Sequence, residues 1–511
     1  MTGGDYRTRR SALTWTAGLA VSAATIAIAF ITTPLLLKFL GPERFGAARA
    51  ASDWFGHLTL LELGLGSALA PLLALALGRG DELTVRRTMS EGIRAFGRVA
   101  LVAVLAGLMI TMMITRLVPV SPGLARDLQV GCLIATAGLL LYPLAPFRPL
   151  ADASQRGYAL HFMAFAQSVM TTALAVLLAW QGFGITGWFA AVAAGQLLFA
   201  LLILRDGRRR HPGVLKGAFS GPGDPEARAA IKRLNAPSLL FDLAGRAGLL
   251  TDNIVIALVL GPTAVVPLFL TQRLPQLAQQ QLQGVGNASW AALGQLHALG
   301  RNDVFTARLL ELTRLLVALG LAALVPIAAF NHAFVNLWVG SAHFGGSLVT
   351  ALAAVNALLL ALVSLWGWCL TGTGQVATMV PVMLVSAALN LTLSIAGAWL
   401  LGIAGPLLGT TVAITTTTLW FLPLQLHRRF GVPLGGLARA VLSPLAWGTL
   451  PALGIWWLAR SVPPSRWWLL GVEAAGAAAV MLAVWWVFEL DAGERRHYLD
   501  RARMVARQPK V

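Results

Sequence analysis

Leu40-Gly41-Pro42-Glu43-Arg44-Phe45-Gly46 opens a stretch, running to Asp81, that is nearly written out again between Leu260 and Asp303. Leu40-Gly41-Pro42 returns as Leu260-Gly261-Pro262, 220 positions on, and Gly64-Leu65-Gly66-Ser67-Ala68 returns at the same offset as Gly284-Val285-Gly286-Asn287-Ala288. Leu77-Gly78-Arg79-Gly80-Asp81 matches Leu299-Gly300-Arg301-Asn302-Asp303, where the offset reads as 222. Glycine-rich apolar segments resemble one another by composition alone, but composition does not preserve order and spacing. The three collinear matches therefore point to two structurally equivalent halves.

Composition says what kind of halves these are. The chain of 511 residues is 57% hydrophobic and only 12% charged, about half the charge of an ordinary soluble domain. Apolar runs long enough to cross a hydrocarbon core recur from end to end, which indicates an all-α polytopic membrane protein with about fourteen transmembrane helices. Expected spans include an uncleaved first helix from Ser11 to Phe39, a second at 47–77, a seventh at 237–260 and an eighth at 265–297. The organisation expected is an N-terminal lobe of helices 1–6 (1–204), a linker (205–236), a C-terminal lobe of helices 7–12 (237–426), two additional helices (427–490) and a basic tail (491–511). Each lobe holds an even number of spans, so the two are pseudo-symmetric and parallel.

The net charge of +18 is explained by where the basic residues fall, and nucleic acid is not implied. Arginines cluster in alternate loops: Arg7, Arg9 and Arg10; Arg86 and Arg87; Arg208, Arg209 and Arg210; Arg428 and Arg429; Arg495 and Arg496. By the positive-inside rule these loops and both termini are expected to face the cytoplasm. Cys132 and Cys369 lie in apolar runs, and with no paired-cysteine or His-rich motif no metal site is expected. No phosphate-binding loop for ATP and no catalytic constellation is present, so the chain reads as a non-enzyme without cofactor, and any transport would draw on a proton or sodium gradient or on substrate supply.

Charge inside a span is expensive and points to a polar cavity. In the second span Arg49, Asp53 and His57 share one face, with Arg49 and Asp53 four apart and able to pair, while Glu62 projects on another side. The seventh span carries Asp242 and Arg246, one turn apart near mid-membrane, then Asp252 and Asn253. In the eighth, Gln272, Gln276, Gln279 and Gln283 form one stripe with Arg273 on its shoulder, and Arg273 takes the place of Asp53 in the repeat. Amides that both donate and accept suit a hydroxyl-rich ligand. The competing readings are that Arg49 flanks a span at the outer surface, that Asp242 and Arg246 form a structural pair, and that the glutamines hold helices together.

The Leu40–Gly46 motif, the Leu63-Gly64-Leu65-Gly66-Ser67-Ala68 motif and the loop Gly78-Arg79-Gly80-Asp81 resemble the polysaccharide or O-antigen flippases of the multidrug, oligosaccharidyl-lipid and polysaccharide (MOP) exporter superfamily. The resemblance implies two six-helix MATE-like lobes, a cationic central cavity, alternating access and export of undecaprenyl-pyrophosphate-linked oligosaccharide. Membrane lipids and polysaccharide polymerase machinery are then the candidate partners. The two extra C-terminal helices resemble those of the lipid II flippases in the same superfamily. On this reading Arg246 and Arg273, with Arg49, hold pyrophosphate; Gln272, Gln276, Gln279 and Gln283 meet sugar; and Asp53, Glu62, Asp242 and Asp252 are candidates for ion coupling. The alternatives are a cation-coupled multidrug exporter of the same fold, and a non-transporting scaffold for lipid-linked precursors.

Overall fold

The computed structural model describes residues 3–62, 64–213, 225, 228–229, 251–373, 375 and 378–507. Helix dominates throughout, and no strand occurs among the described residues. Ten helical stretches among them are long and apolar enough to cross a membrane, so the chain is a multi-pass membrane protein. Four differences from the fourteen expected spans have local causes, the first being that Ala20–Glu62 forms one stretch holding most of the first expected span and the start of the second. Val380–Phe430 forms one stretch of 51 residues containing two of the expected spans. The helix at 265–298 is long enough, but its run of glutamines removes it from the apolar set. Much of the span at 237–260 lies outside the described residues.

The chain divides into two compact units, Met1–Val265 and Val266–Val511. In the first, α1 (Gly3–Leu58) is followed by α2 (Leu65–Gly78), α3 (Glu82–Leu117), α4 (Pro122–Gly138), α5 (Phe147–Ala153), α6 (Gly157–Trp180), α7 (Gly184–Arg210) and α8 (Asp252–Leu260). Helix α1 packs against α6 and α8, and α4 against α3 and α7. Leu69, Leu73, Met89, Phe96 and Phe147 are wholly enclosed where α2, α3 and α5 meet.

Helix α1 is broken at Gly41, whose φ of 75° and ψ of 167° are not helical. Pro42 follows, and its fixed φ suits the first turn of the new helical segment. That segment is set close to the second copy of the motif. A Cβ on Gly46 would lie 1.8 Å from the Pro262 carbonyl oxygen, so only glycine lets the two backbones meet here.

The second unit continues with α9 (Val265–Ala298), α10 (Asn302–Val339), α11 (Ser347–Gly372), α12 (Val380–Leu401), α13 (Gly405–Thr416) and α14 (Thr418–Phe430), then α15 (Leu434–Ser461), α16 (Trp467–Val484) and α17 (Ala492–Arg507). Helix α10 is its spine, packed on α11, α15 and α16. Phe305, Leu309, Leu316 and Val317 of α10 are fully buried.

The repeat is visible in the backbone. Gly261 has φ 90° and ψ 163°, nearly the values of Gly41. At the end of α2 the amides of Arg79, Gly80 and Asp81 donate to the carbonyls of Leu75, Leu77 and Ala76; at the end of α9 those of Leu299, Gly300 and Arg301 donate to Gln295, His297 and Leu296. Gly80 (φ 68°) and Gly300 (φ 69°) are therefore the equivalent pair, the offset stays at 220, and the two-residue shift read from sequence is corrected. Chemically similar Gly-Arg pairs had drawn the alignment away from the residues that turn the chain. Gly182 and Gly402 extend the same offset with positive φ at both.

The copies part at the middle motif. Gly64 (φ 72°) precedes α2 after a 3-10 turn, Thr59–Glu62, whereas Gly284 lies inside the unbroken α9. The continuous second span expected at 47–77 is thus two helices, and the face assigned to Glu62 by helical projection does not apply.

Candidate functional site

In the first unit the polar centre is Asp53. It stands 7% exposed at its side chain, one turn beyond Arg49. Arg49 Nη2 donates to its Oδ1 at 3.0 Å, and Asn253 Nδ2, from the first turn of α8, donates to its Oδ2 at 2.7 Å. Both carboxylate oxygens therefore have a partner, as a buried charge requires. His57 Nδ1 lies 2.8 Å from the Asp53 carbonyl oxygen. Beside this row Trp188 Nε1 donates to Ser52 Oγ at 3.2 Å, and its ring meets Phe45 edge-on.

Asp252 opens α8, where the helix dipole favours a negative charge. Its Oδ1 is buried with no hydrogen-bond partner among the described residues, and it feels the charge of Asp53. The structure thus brings together Arg49, Asp53, Asp252 and Asn253, which among the described residues sets two carboxylates beside one arginine. Glu62 is placed separately, in the 3-10 turn, where its charge acts on Tyr142. Asp242 and Arg246, and the pairing expected between them, lie outside the described residues.

In the second unit α9 presents the glutamine stripe. Gln272 is 5% exposed, and its Oε1 accepts from Gln276 Nε2 at 2.8 Å. Gln272 Nε2 is left buried with no hydrogen-bond partner among the described residues. Gln279 and Gln283 are half-buried further along. The Arg273 guanidinium stands over the Phe269 ring at 6.0 Å, a contact that steadies a cation without neutralising it.

The first turns of α9 are fixed by a buried network that sequence reasoning missed. Asn331 Nδ2 donates to the Thr271 carbonyl at 2.9 Å and to Thr350 Oγ1 at 3.0 Å, while the Gly345 amide donates to Thr271 Oγ1 at 2.7 Å. The available signal was an asparagine inside an apolar run, where a polar side chain must find partners. A second missed feature is Glu91 of α3, 1% exposed at its side chain and held by Arg94 and by both guanidinium arms of Arg228.

No family model and no curated protein sequence matches the chain. Solved structures do match, at identities that speak for the fold alone. The lipid II flippase MurJ, in an inward closed conformation, aligns with a TM-score of 0.70 at 13% identity, covering 92% of this chain and 98% of that one. An inward-facing multidrug resistance MATE family transporter of the MOP superfamily aligns at 0.61 and 16% identity, covering 81% and 96%. A MOP superfamily transporter from Pyrococcus furiosus, described as having a binding pocket of reverse polarity, aligns at 0.57 and 15% identity, covering 87% and 95%.

Proposed function

We propose that this chain, with the fold shared by MurJ and the MATE transporters, is a flippase. Its substrate is an undecaprenyl-pyrophosphate-linked oligosaccharide, the repeat unit of an O-antigen or exopolysaccharide, moved from the cytoplasmic to the outer leaflet of the bacterial inner membrane by alternating access. The observation that carries the reading is the extent of the fold likeness. The match to the lipid II flippase covers 92% of the chain at a TM-score of 0.70, against 81% at 0.61 for the multidrug transporter and 87% at 0.57 for the Pyrococcus furiosus transporter.

The residues support the same class. Arg49 and Arg273, with Arg246, are the candidate pyrophosphate donors, since a guanidinium fork meets phosphate oxygens in pairs. Arg49 is held by Asp53 when no substrate is present, and a pyrophosphate would compete for the same Nη2. Gln272, Gln276, Gln279 and Gln283 supply donors and acceptors for sugar hydroxyls, and the unused Gln272 Nε2 is the first of these. Asp53 and Asp252, with Glu62 and Asp242, are the candidate proton or sodium carriers. Among the described residues Asp53 and Asp252 lie near one arginine, an arrangement to which a proton or sodium ion is suited.

The test is a deletion strain complemented with variants whose membrane insertion is shown to be normal. Deletion should accumulate undecaprenyl-linked oligosaccharide on the cytoplasmic face and remove surface polysaccharide, with drug susceptibility unchanged. Arg273→Ala should lower flipping by about 10- to 100-fold, the worth of one charge-assisted contact, and Arg273→Lys by less. Intact polysaccharide with heightened sensitivity to cationic drugs would replace the flippase with a multidrug exporter.

A further inference from the structure

A cavity of about 790 Å³ opens in the second unit among α10, α15 and the segment leading into α17. Its polar lining is Glu311 and Arg314 of α10, Arg439 and Ser443 of α15, Glu489, and Glu494 and Tyr498 of the first turns of α17. Most of this charge is already matched. Arg314 is paired with Glu494, and Glu311 with Arg308. Glu489 accepts from Ser443 Oγ at 2.6 Å and faces Arg314, which Glu494 already engages. Arg439 makes no ion pair among the described residues and is exposed.

What remains is one guanidinium and one carboxylate across a polar space. An anion alone would meet Glu489 and a cation alone would meet Arg439, so the complementary ligand carries both signs. The cavity also has the aromatic surroundings of a membrane interface. It is lined by the first three turns of α15 and the turn after α16, and it is flanked by Trp447 stacked on Phe488 and by Trp485 against Tyr498, the residue types that settle at a membrane interface.

The same helix seam then turns apolar. Beyond the cavity, α10 and α15 enclose a groove of about 370 Å³ lined by Leu321 and Val325 on one side and Leu445, Gly448, Leu453 and Trp456 on the other. From Ser443 to Trp456 the helix rises about 20 Å, more than half of a ~30 Å hydrocarbon core. Gly448 keeps the floor low, since a Cβ there would lie 2.9 Å from Leu321 Cδ1.

We propose that this cavity and groove hold a resident phospholipid whose headgroup carries a phosphate and a primary ammonium, as phosphatidylethanolamine does. The phosphate is met by Arg439, the ammonium by Glu489, and one acyl chain lies along the α10–α15 groove. The site is independent of the cargo reading, because none of its residues is among those assigned to the flipped substrate.

The test is native mass spectrometry of the delipidated full chain, titrated with phosphatidylethanolamine, phosphatidylcholine and phosphatidylglycerol of identical acyl chains. The ethanolamine lipid should bind about tenfold more tightly than either of the others. The quaternary ammonium of choline cannot donate to Glu489, and glycerol brings no cation. Arg439→Ala and Glu489→Gln should each weaken it about tenfold, and Glu489→Gln should also erase its preference over phosphatidylglycerol. Ala452→Trp, which fills the groove and leaves the charges in place, should weaken all three lipids alike. Folding is checked by helix content and monodispersity, and Arg439→Lys should recover part of the affinity. Equal binding of the three lipids, a preference for phosphatidylglycerol, or full ethanolamine-lipid binding in folded Arg439→Ala and Glu489→Gln would overturn the proposal.

Discussion

Asp53 holds two side-chain donors on its two carboxylate oxygens, and the residues concerned differ in how far sequence could reveal them. The Arg49 contact was legible, because residues four apart on a helix face one another. The Asn253 contact was not, since it joins residues 200 apart and no local periodicity carries that information. Asp53→Asn removes the carboxylate to which Arg49 and Asn253 donate and should lower flipping in proteoliposomes at least about tenfold; unchanged flux would remove Asp53 from the machinery. Gly46→Ala should fail to reach a normally folded state, as the added methyl meets the Pro262 carbonyl. Detergent-extracted protein should show a clear loss of monodisperse material, where Gly66→Ala, with open space around it, should not. A third residue gives a pH signature. Burial pushes the His211 imidazole below its usual range, with Asp206 and Glu82 pulling weakly the other way, and its Nε2 lies 3.2 Å from Ser154 Oγ. The folded state resists the proton, so this contribution to stability is complete above about pH 6.5 and is lost as pH falls through the depressed folded value. Thermal midpoints should drop between pH 7.5 and pH 5.5, and His211→Gln should flatten that drop.

Among elements, the informative pair is the turn after α2 and the turn after α9. Each ends a helix with the same three amide-to-carbonyl bonds and a glycine at φ near 68°, the helix-ending arrangement in which a Cβ is penalised. Gly80→Ala and Gly300→Ala should each destabilise by about 1–2 kcal/mol, read as a lower thermal midpoint, while Asn302→Ala should cost less. The reverse order would restore the 222 offset. Helix existence was legible over most of the chain because hydrophobic runs of this length have one use. Interruptions were harder to read. Gly64 was visible as a landmark, but whether a glycine breaks a helix or sits inside one depends on what packs around it, and Gly284 in the matching place breaks nothing. The buried Thr271–Asn331–Thr350 network escaped for the same reason as Asn253, its members being brought together only by the fold.

At the scale of the whole molecule the orientation is open to a clean measurement. Cys132 and Cys369 are 0% and 1% exposed, so the natural chain should be nearly silent toward a thiol reagent. Ser341→Cys, in the exposed turn after α10, should be labelled from outside intact cells, and Arg209→Cys, at the end of α7, should be protected until the membrane is opened. The opposite pattern would invert the topology read from the arginines. The broken and unbroken copies of the middle motif also differ as machines. Helix α9 is a rod of 34 residues, about 51 Å long, which transmits a push at one end to the other. Its counterpart is a crank with a joint between Leu58 and Leu65, and a jointed lever yields where it is jointed. Backbone amides from Thr59 to Glu62 should therefore exchange with solvent deuterium faster than those from Gln279 to Leu282, and any bending stroke in this protein should be taken up at that elbow.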